Sequence, residues 1–331
     1  MANPILAKTI RANLVENIHR GAFCLINSKN QIKIAQGDIS NSIFPHSAIK
    51  SIQALALFKS GAVEKFSLDE KDLAIICASH NGEKPHIEAV KRLLNKISCN
   101  IDDLECGSHV PINKKAQKTF FTSKEKLTPI YNACSGKHAG MLAVAKALEI
   151  STKNYSTPNH KVQKLVRLCI EGIIGQDLNE THCAIDGCSV PTFAAPLSAF
   201  AFAFAKMATN TSFNKQTTKA VKQIISANIN EAKLIRGTNT LDSDLIKAFS
   251  GRLIIKNGSD GVYCGALLDK KLGFALKIDD GNLQAAEVTI ANMLLNFSNP
   301  NEKERLALKN YSSSILTNWR KIEVGKLIAT D

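Results

Sequence analysis

The chain has 331 residues, 44% of them hydrophobic, and a formal net charge of +13. That is enough apolar chain to fill the core of one large domain or two intimate ones, which excludes a disordered or fibrous protein. The lysines are spread along the sequence and interleaved with acids, so the charge reads as a solvated surface and not as a nucleic-acid footprint.

Ala22–Asn27 and Gln31–Ala35 read as a strand pair across the polar turn Ser28-Lys29-Asn30. A helix is expected over Ser47–Lys59, introduced by Phe44-Pro45. Asp72–Ala78 is a near-continuous apolar run, expected to be a buried strand. Helical spacing returns over Pro85–Lys96, Lys137–Leu148, Asn159–Ile173, Ser198–Met207 and Asn214–Ile229, with a short strand at His182–Ile185. The longest apolar run, Phe193–Ala205, holds Pro196 and Ser198 and is too short to span a bilayer; it reads as a buried helix packed with Ala and Phe. Strands are expected again over Arg252–Ile255, Gly261–Leu268 and Gly273–Ile278, then a helix over Leu283–Leu295. Strands at both ends with helices between predict an α/β (α+β) protein. Its sheet is built from both termini, its faces are covered by helices, and residues 1–331 form a single unit.

Nine cysteines, an odd number, do not form a disulfide scaffold. Cys77, Cys169, Cys183 and Cys264 sit in apolar runs and read as reduced, buried thiols. No basic segment followed by an apolar stretch opens the chain. The expectation is a cytoplasmic protein with neither membrane nor nucleic acid as partner.

Three motifs carry the chemistry: Ser47-Ala-Ile-Lys50, Ser79-His80-Asn81 and Lys256-Asn257-Gly258. In order they read S-x-x-K, S-x-N and K-x-G, the pattern of enzymes that attack a carbonyl with serine and move protons with lysine amines. Serine is a weak nucleophile at neutral pH, and a neighbouring neutral amine can take its proton. Ser47 and Lys50 are three apart at an expected helix start, so hydroxyl and amine share a face. Two pairs are possible, Ser47 with Lys50 and Ser79 with Lys256. Two further segments stand out, Cys134-Ser-Gly-Lys137-His138 and Asp186-Gly-Cys188. Two thiolates suit zinc, but two cysteines are not a full ligand set, and spacing alone favours buried structural cysteines. Lys137 sits at the right spacing to add a deprotonated amine, and His138 reads as a hydrogen-bonded support. Gly136 and Gly140 permit close backbone approach.

These segments resemble one family. The quoted motifs, with Asn3-Pro4, Val15-Glu16-Asn17, His19-Arg20-Gly21, Ser79-His80-Asn81-Gly82-Glu83, Asn132-Ala-Cys134-Ser-Gly-Lys137-His138-Ala-Gly-Met141 and Lys256-Asn-Gly-Ser-Asp-Gly-Val262, resemble the Ser-Lys type L-asparaginases. This is the rhizobial inducible class, or asparaginase II family. The resemblance runs from about residue 3 to the final helices. It implies a serine β-lactamase-like fold, a homodimer, and hydrolysis of L-asparagine to aspartate and ammonia. It assigns catalysis to Ser47, Lys50, Ser79 and Lys256. It assigns zinc to Cys134, Lys137 and Cys188, as an aid to binding and not as the attacking group. Asp186 falls on a position associated with the site, and with His46 and His138 it is a candidate for substrate binding. The family usually has Arg just before the first serine, where this chain has His46. The expected mechanism is attack by Ser47 with Lys50 as base, and protonation of the leaving ammonia through Ser79 and Lys256. The alternatives are a glutaminase, a β-lactamase-like amide hydrolase, or a weakly catalytic protein that binds zinc or an amino acid.

Overall fold

The computed structural model describes residues 2–211 and 213–330. The chain divides into two compact units. One comprises residues 2–48, 195–211 and 244–330, the other residues 49–194 and 213–243.

The first unit holds an antiparallel sheet drawn from both ends of the chain. Its strand order is Ser313–Thr317, Glu323–Ala329, Ile5–Arg11, Leu14–Asn27, Leu272–Ile278, Val262–Leu267, Leu253–Asn257, with Ile32–Gln36 branching from Leu14–Asn27. The sheet built from both termini is therefore present. Leu14–Asn27 joins the two halves: Leu14–Arg20 pairs with the first strand, and Gly21–Asn27 with Leu272–Ile278. Helices Leu197–Thr209 and Leu283–Phe297 pack on this sheet. Every residue of Leu253–Asn257 and Val262–Leu267 is buried, and strands buried on both faces read as continuous apolar runs. Gly273 lets the Leu197–Thr209 helix lie directly on the backbone of its strand. A Cβ there would sit 1.9 Å from the Ala201 carbonyl oxygen and 2.3 Å from the Ala205 nitrogen.

The second unit is helical. Its centre is Ser135–Ala147, buried without interruption from Ser135 to Ala145. Helices Glu70–Cys77, Lys84–Lys96 and Lys161–Ile174 pack against it. Such an element shows no polar stripe, because it has no solvent face.

The expected strand over Asp72–Ala78 is a helix, Glu70–Cys77. Asp69 caps it, its carboxylate accepting from the backbone of Lys71 and Asp72, while Asp72 accepts from the Asp69 nitrogen. Asp72 is buried and also bonds Arg92 at 2.6 Å and Lys96 at 2.7 Å. The run from Asp72 to Cys77 is buried throughout, so helical period is invisible in it, and the capping box is the signal that decides. The Ser47–Lys59 helix is broken into a 3₁₀ turn, His46–Ile49, and two short helices, Lys50–Gln53 and Leu55–Lys59. Strands Ile5–Arg11, Ser313–Thr317 and Glu323–Ala329 and helices Lys114–Thr122, Leu241–Phe249 and Glu302–Lys309 have no counterpart in the sequence reading. All nine cysteines are free, eight of them buried. Among the described residues no helix is long and apolar enough to cross a membrane.

Gly273→Ala is expected to lower stability by at least the ~1–3 kcal/mol typical of overpacking, because backbone atoms cannot step aside. Gly172, within the Lys161–Ile174 helix, has nothing within 4 Å of where a Cβ would stand. Gly172→Ala should be neutral or gain about 0.5–1 kcal/mol. Thermal denaturation of the two variants checks the pair.

Candidate active site

In the helical unit, Ser79 follows the C-terminal end of the Glu70–Cys77 helix. Its segment is stitched down by backbone bonds: the Ser79 nitrogen donates to Ile235 O, His80 to Ala133 O and Asn81 to Arg236 O. The Lys50 side chain is buried, and its amine donates to Ala78 O and to Ser79 Oγ, the latter at 3.1 Å. A buried lysine needs such partners, since an unpaired ammonium in an apolar interior is costly. Thus Lys50 reaches the serine of the second motif as well as standing in the first. His80 points the other way and meets Ser135 Oγ at 2.8 Å. Burial, with His86, Lys50 and His109 adding to it, pushes the His80 pKa well below its ordinary value, so the ring is neutral.

In the sheet unit, Ser47 lies on the 3₁₀ turn His46–Ile49 and is buried. His46 adopts a left-handed backbone (φ 48°), uncommon for a residue with a side chain, and its Nε2 lies 3.3 Å from Asp260 Oδ2. Asp260 belongs to the loop that begins with the third motif. Lys256 is buried and donates to the Asn257 carbonyl at 2.9 Å and to the Asn257 side-chain oxygen. Gly258 holds this loop against the serine turn. A Cβ there would be 2.6 Å from Pro45 O and 3.3 Å from the Ala48 nitrogen. The serine end of the first motif and the third motif therefore meet within this unit.

The helical unit also gathers Cys134, Lys137, Asp186 and Cys188. Lys137 Nζ lies 2.9 Å from Cys188 Sγ and 3.8 Å from Asp186 Oδ2, and Cys188 Sγ lies 3.8 Å from the same oxygen. Cys134 and Cys188 share a hydrogen bond, which with help from Lys50 and Lys137 holds the Cys134 thiol well below its usual pKa despite burial. Cys188 keeps the proton: its bond to Cys134 and its burial both raise its pKa. Burial opposes charge on Lys137, but Cys188, Cys134 and Asp186 outweigh it and raise its pKa. His138 is buried against Tyr155, 2.7 Å from its hydroxyl, and burial with Lys137 nearby lowers its pKa to about 3. Its Nε2 is buried with no hydrogen-bond partner among the described residues.

Among the described residues, no group of three or more His, Cys, Asp and Glu side chains is placed to hold a metal ion. A set of two sulfurs with the Lys137 amine as third donor lies outside that description. Two converging thiols, one of them held as a thiolate, suit zinc, and Lys137, in contact with the second, adds a third donor once it gives up its proton.

The L-asparaginase II family matches residues 7–329. The chain belongs to the L-asparaginase II family. As a member it is an asparaginase, an enzyme that hydrolyses the side-chain amide of asparagine. No curated protein matches the chain. Among solved structures, a provisionally named beta-lactamase from Bacteroides dorei DSM 17855 is 12% identical over 82% of this chain and 92% of its own, with a TM-score of 0.43. Mglu in its native form is 12% identical over 86% of this chain and 66% of its own, with a TM-score of 0.36.

For this asparaginase the sequence reading named ten residues. Lys50 meets Ser79 in one unit, and His46 and Ser47 adjoin the Lys256 loop in the other. Cys134, Lys137, Asp186 and Cys188 form one cluster. His138 stands beside that cluster and points to Tyr155. The reading passed over Asp260, Tyr155, Asn81 and Glu83. Asn81 and Glu83 lie inside a quoted motif, so their signal was present but unassigned. Asp260 likewise lies inside a quoted motif, whereas Tyr155 offers no pattern before folding brings it to His138.

The asparaginase freed of metal by chelation is expected to show thiolate absorbance near 240 nm at neutral pH. Cys134→Ser should abolish it, and Lys137→Met should diminish it at that pH. An unchanged signal in Cys134→Ser would overturn the charge assignment.

Proposed function

We propose that this asparaginase works through a serine acyl-enzyme. Ser47 attacks the side-chain amide carbon of L-asparagine, and Lys50 takes its proton. Ser79 and Lys256 deliver a proton to the departing nitrogen, and ammonia leaves. Water then attacks the acyl carbon, its proton passing back through the same groups, and aspartate is released. The observation that carries the reading is the buried Lys50 amine bonded to Ser79 Oγ in a chain of this family. Buried amine and hydroxyl in direct contact form the proton path that amide cleavage needs, and such transfers are worth about 10²–10⁴ in rate.

Cys134, Lys137 and Cys188 would hold a zinc ion. When bound, it supplies a fixed positive charge that orders the site. Family resemblance also supports a homodimer, and free thiols fit a reducing cytoplasm. His46 and Asp186 are taken as substrate-binding residues, and His138 as a support held by Tyr155.

Ammonia release from L-asparagine and from L-glutamine tests the reading. Ser47→Ala should lose about 10³-fold or more in kcat, and Ser79→Ala about 10²–10⁴-fold. L-Glutamine, one methylene longer, should be turned over about 10–200-fold less efficiently. Full turnover in both serine variants would refute the mechanism while leaving family membership intact.

A further inference from the structure

Asn81 is buried, and its side-chain amide lies flat against Gly237. A Cβ on Gly237 would sit 2.3 Å from Asn81 Nδ2 and 2.4 Å from Oδ1. Only glycine leaves room for the amide there. The Asn81 nitrogen, Nδ2, donates to Glu83 Oε1 at 3.3 Å. Glu83 is itself clamped. Its carboxylate accepts from Asn113 Nδ2 at 2.8 Å, from the Thr238 backbone nitrogen at 3.3 Å to each oxygen, and from the Thr238 hydroxyl.

An ionised carboxylate only accepts hydrogen bonds. Glu83 therefore decides which end of the Asn81 amide is nitrogen, a choice that an isolated amide leaves open. The opposite end, Oδ1, is buried and has no hydrogen-bond partner among the described residues. Buried acceptors are ordinarily satisfied, so an oriented and unsatisfied one points to a donor that arrives with a ligand.

The face on which the Asn81 side chain stands follows from the backbone. Along residues 79–81 the nitrogens of Ser79 and Asn81 bond the 235–236 segment, while His80 bonds Ala133 on the other side. In extended chain, side chains two apart share a face. Ser79 turns to Lys50 and His80 to Ser135, so Asn81 belongs to the Ser79 face.

We infer that Asn81 Oδ1 is the acceptor that recognises the side-chain –NH₂ of the substrate, and that Glu83 is the positioning residue that keeps this oxygen turned toward it. The inference rests on the proposed role of Ser79 in amide cleavage. An amide nitrogen offers two N–H groups, one of which Asn81 takes. The product aspartate carries a carboxylate in that place, with no donor to give. Two acceptors then face one another, which disfavours the product and discriminates asparagine from aspartate.

The test compares KM and kcat for L-asparagine with the inhibition constant for L-aspartate in wild type, Asn81→Leu and Glu83→Gln. Asn81→Leu is expected to raise KM about tenfold or more while aspartate binds no more weakly, so the ratio of the KM for asparagine to the inhibition constant for aspartate rises about tenfold or more. Glu83→Gln should shift the same ratio by less, because a neutral amide can present either end to Asn81. A merely structural role would weaken both ligands together and leave the ratio unchanged, and that result in both variants overturns the inference. If Asn81→Leu fails to fold by circular dichroism, the near-isosteric Glu83→Gln decides. Ser79→Ala is measured in parallel. Full turnover there overturns the inference together with the site reading beneath it. An inactive Ser79→Ala with an unchanged ratio in the other variants overturns the Asn81 assignment alone.

Discussion

Two glycines on the Ser135–Ala147 helix set the distance on which the helical unit depends. A Cβ on Gly136 would stand 2.0 Å from the Ile75 carbonyl oxygen, and one on Gly140 2.8 Å from Ile76 Cγ2. The helix therefore touches the Glu70–Cys77 helix backbone to backbone at Gly136 and backbone to side chain at Gly140. That contact brings the C-terminal end of one helix, where Ser79 begins, beside the N-terminal end of the other, where Cys134 stands. His80 then ties the two ends together, through its nitrogen to Ala133 O at 3.1 Å and its ring to Ser135 Oγ at 2.8 Å. Any larger residue at position 136 would force the helices apart and move Ser79 away from the residues it serves.

Close approach also gathers charge that an apolar interior resists. Lys137 is buried, and burying an unpaired ammonium group would cost more than packing returns. The Cys134 thiolate answers this. Its pKa is lowered by the Cys188 hydrogen bond and by the lysines nearby, and it compensates Lys137 in turn. The cluster is reciprocal: Lys137 helps to ionise the cysteine, and the ionised cysteine makes its burial tolerable. Asp186, 3.8 Å from Lys137, extends the balance. Such a cluster is poor ground for stability but good ground for orientation, because each member fixes its neighbour.

The family was more legible in the sequence than the local structure. S-x-x-K, S-x-N and K-x-G need only residue order to be read, and the cysteine and lysine spacing marked a second cluster. Most helices and the strands near Lys256 were also readable, since their apolar period is plain. The Asp72–Ala78 segment was misread because burial on all sides erases period, and the deciding residues, Asp69 and Asp72, look like ordinary surface acids. The edge strands at the C-terminus escaped for the opposite reason. Ser313–Thr317 alternates between exposed and half-exposed residues, and only pairing with Glu323–Ala329 gives it a strand's identity. The pairing of Lys50 with Ser79, twenty-nine positions apart, is a product of helix packing and has no local signal.

The Glu83 clamp shows how a small motif acquires precision from distant chain. Three segments meet at one carboxylate: residues 81–83, Asn113 and the Gly237-Thr238 turn. They are not equally firm. Asn113 opens the Lys114–Thr122 helix, which buries none of its residues, and beyond it lies a cavity of about 630 Å³ bordered by Glu83, Lys91, Lys115, Phe120 and Tyr131. The Gly237-Thr238 turn is better held, for the Gly237 nitrogen bonds Ser243 Oγ at 3.2 Å and the adjacent Arg236 bonds Asp242 at 3.0 Å. A carboxylate shared between a firm partner and a loosely packed one takes its position from the firm one. Asn81 is thus set by Gly237 through shape and by Thr238 through Glu83.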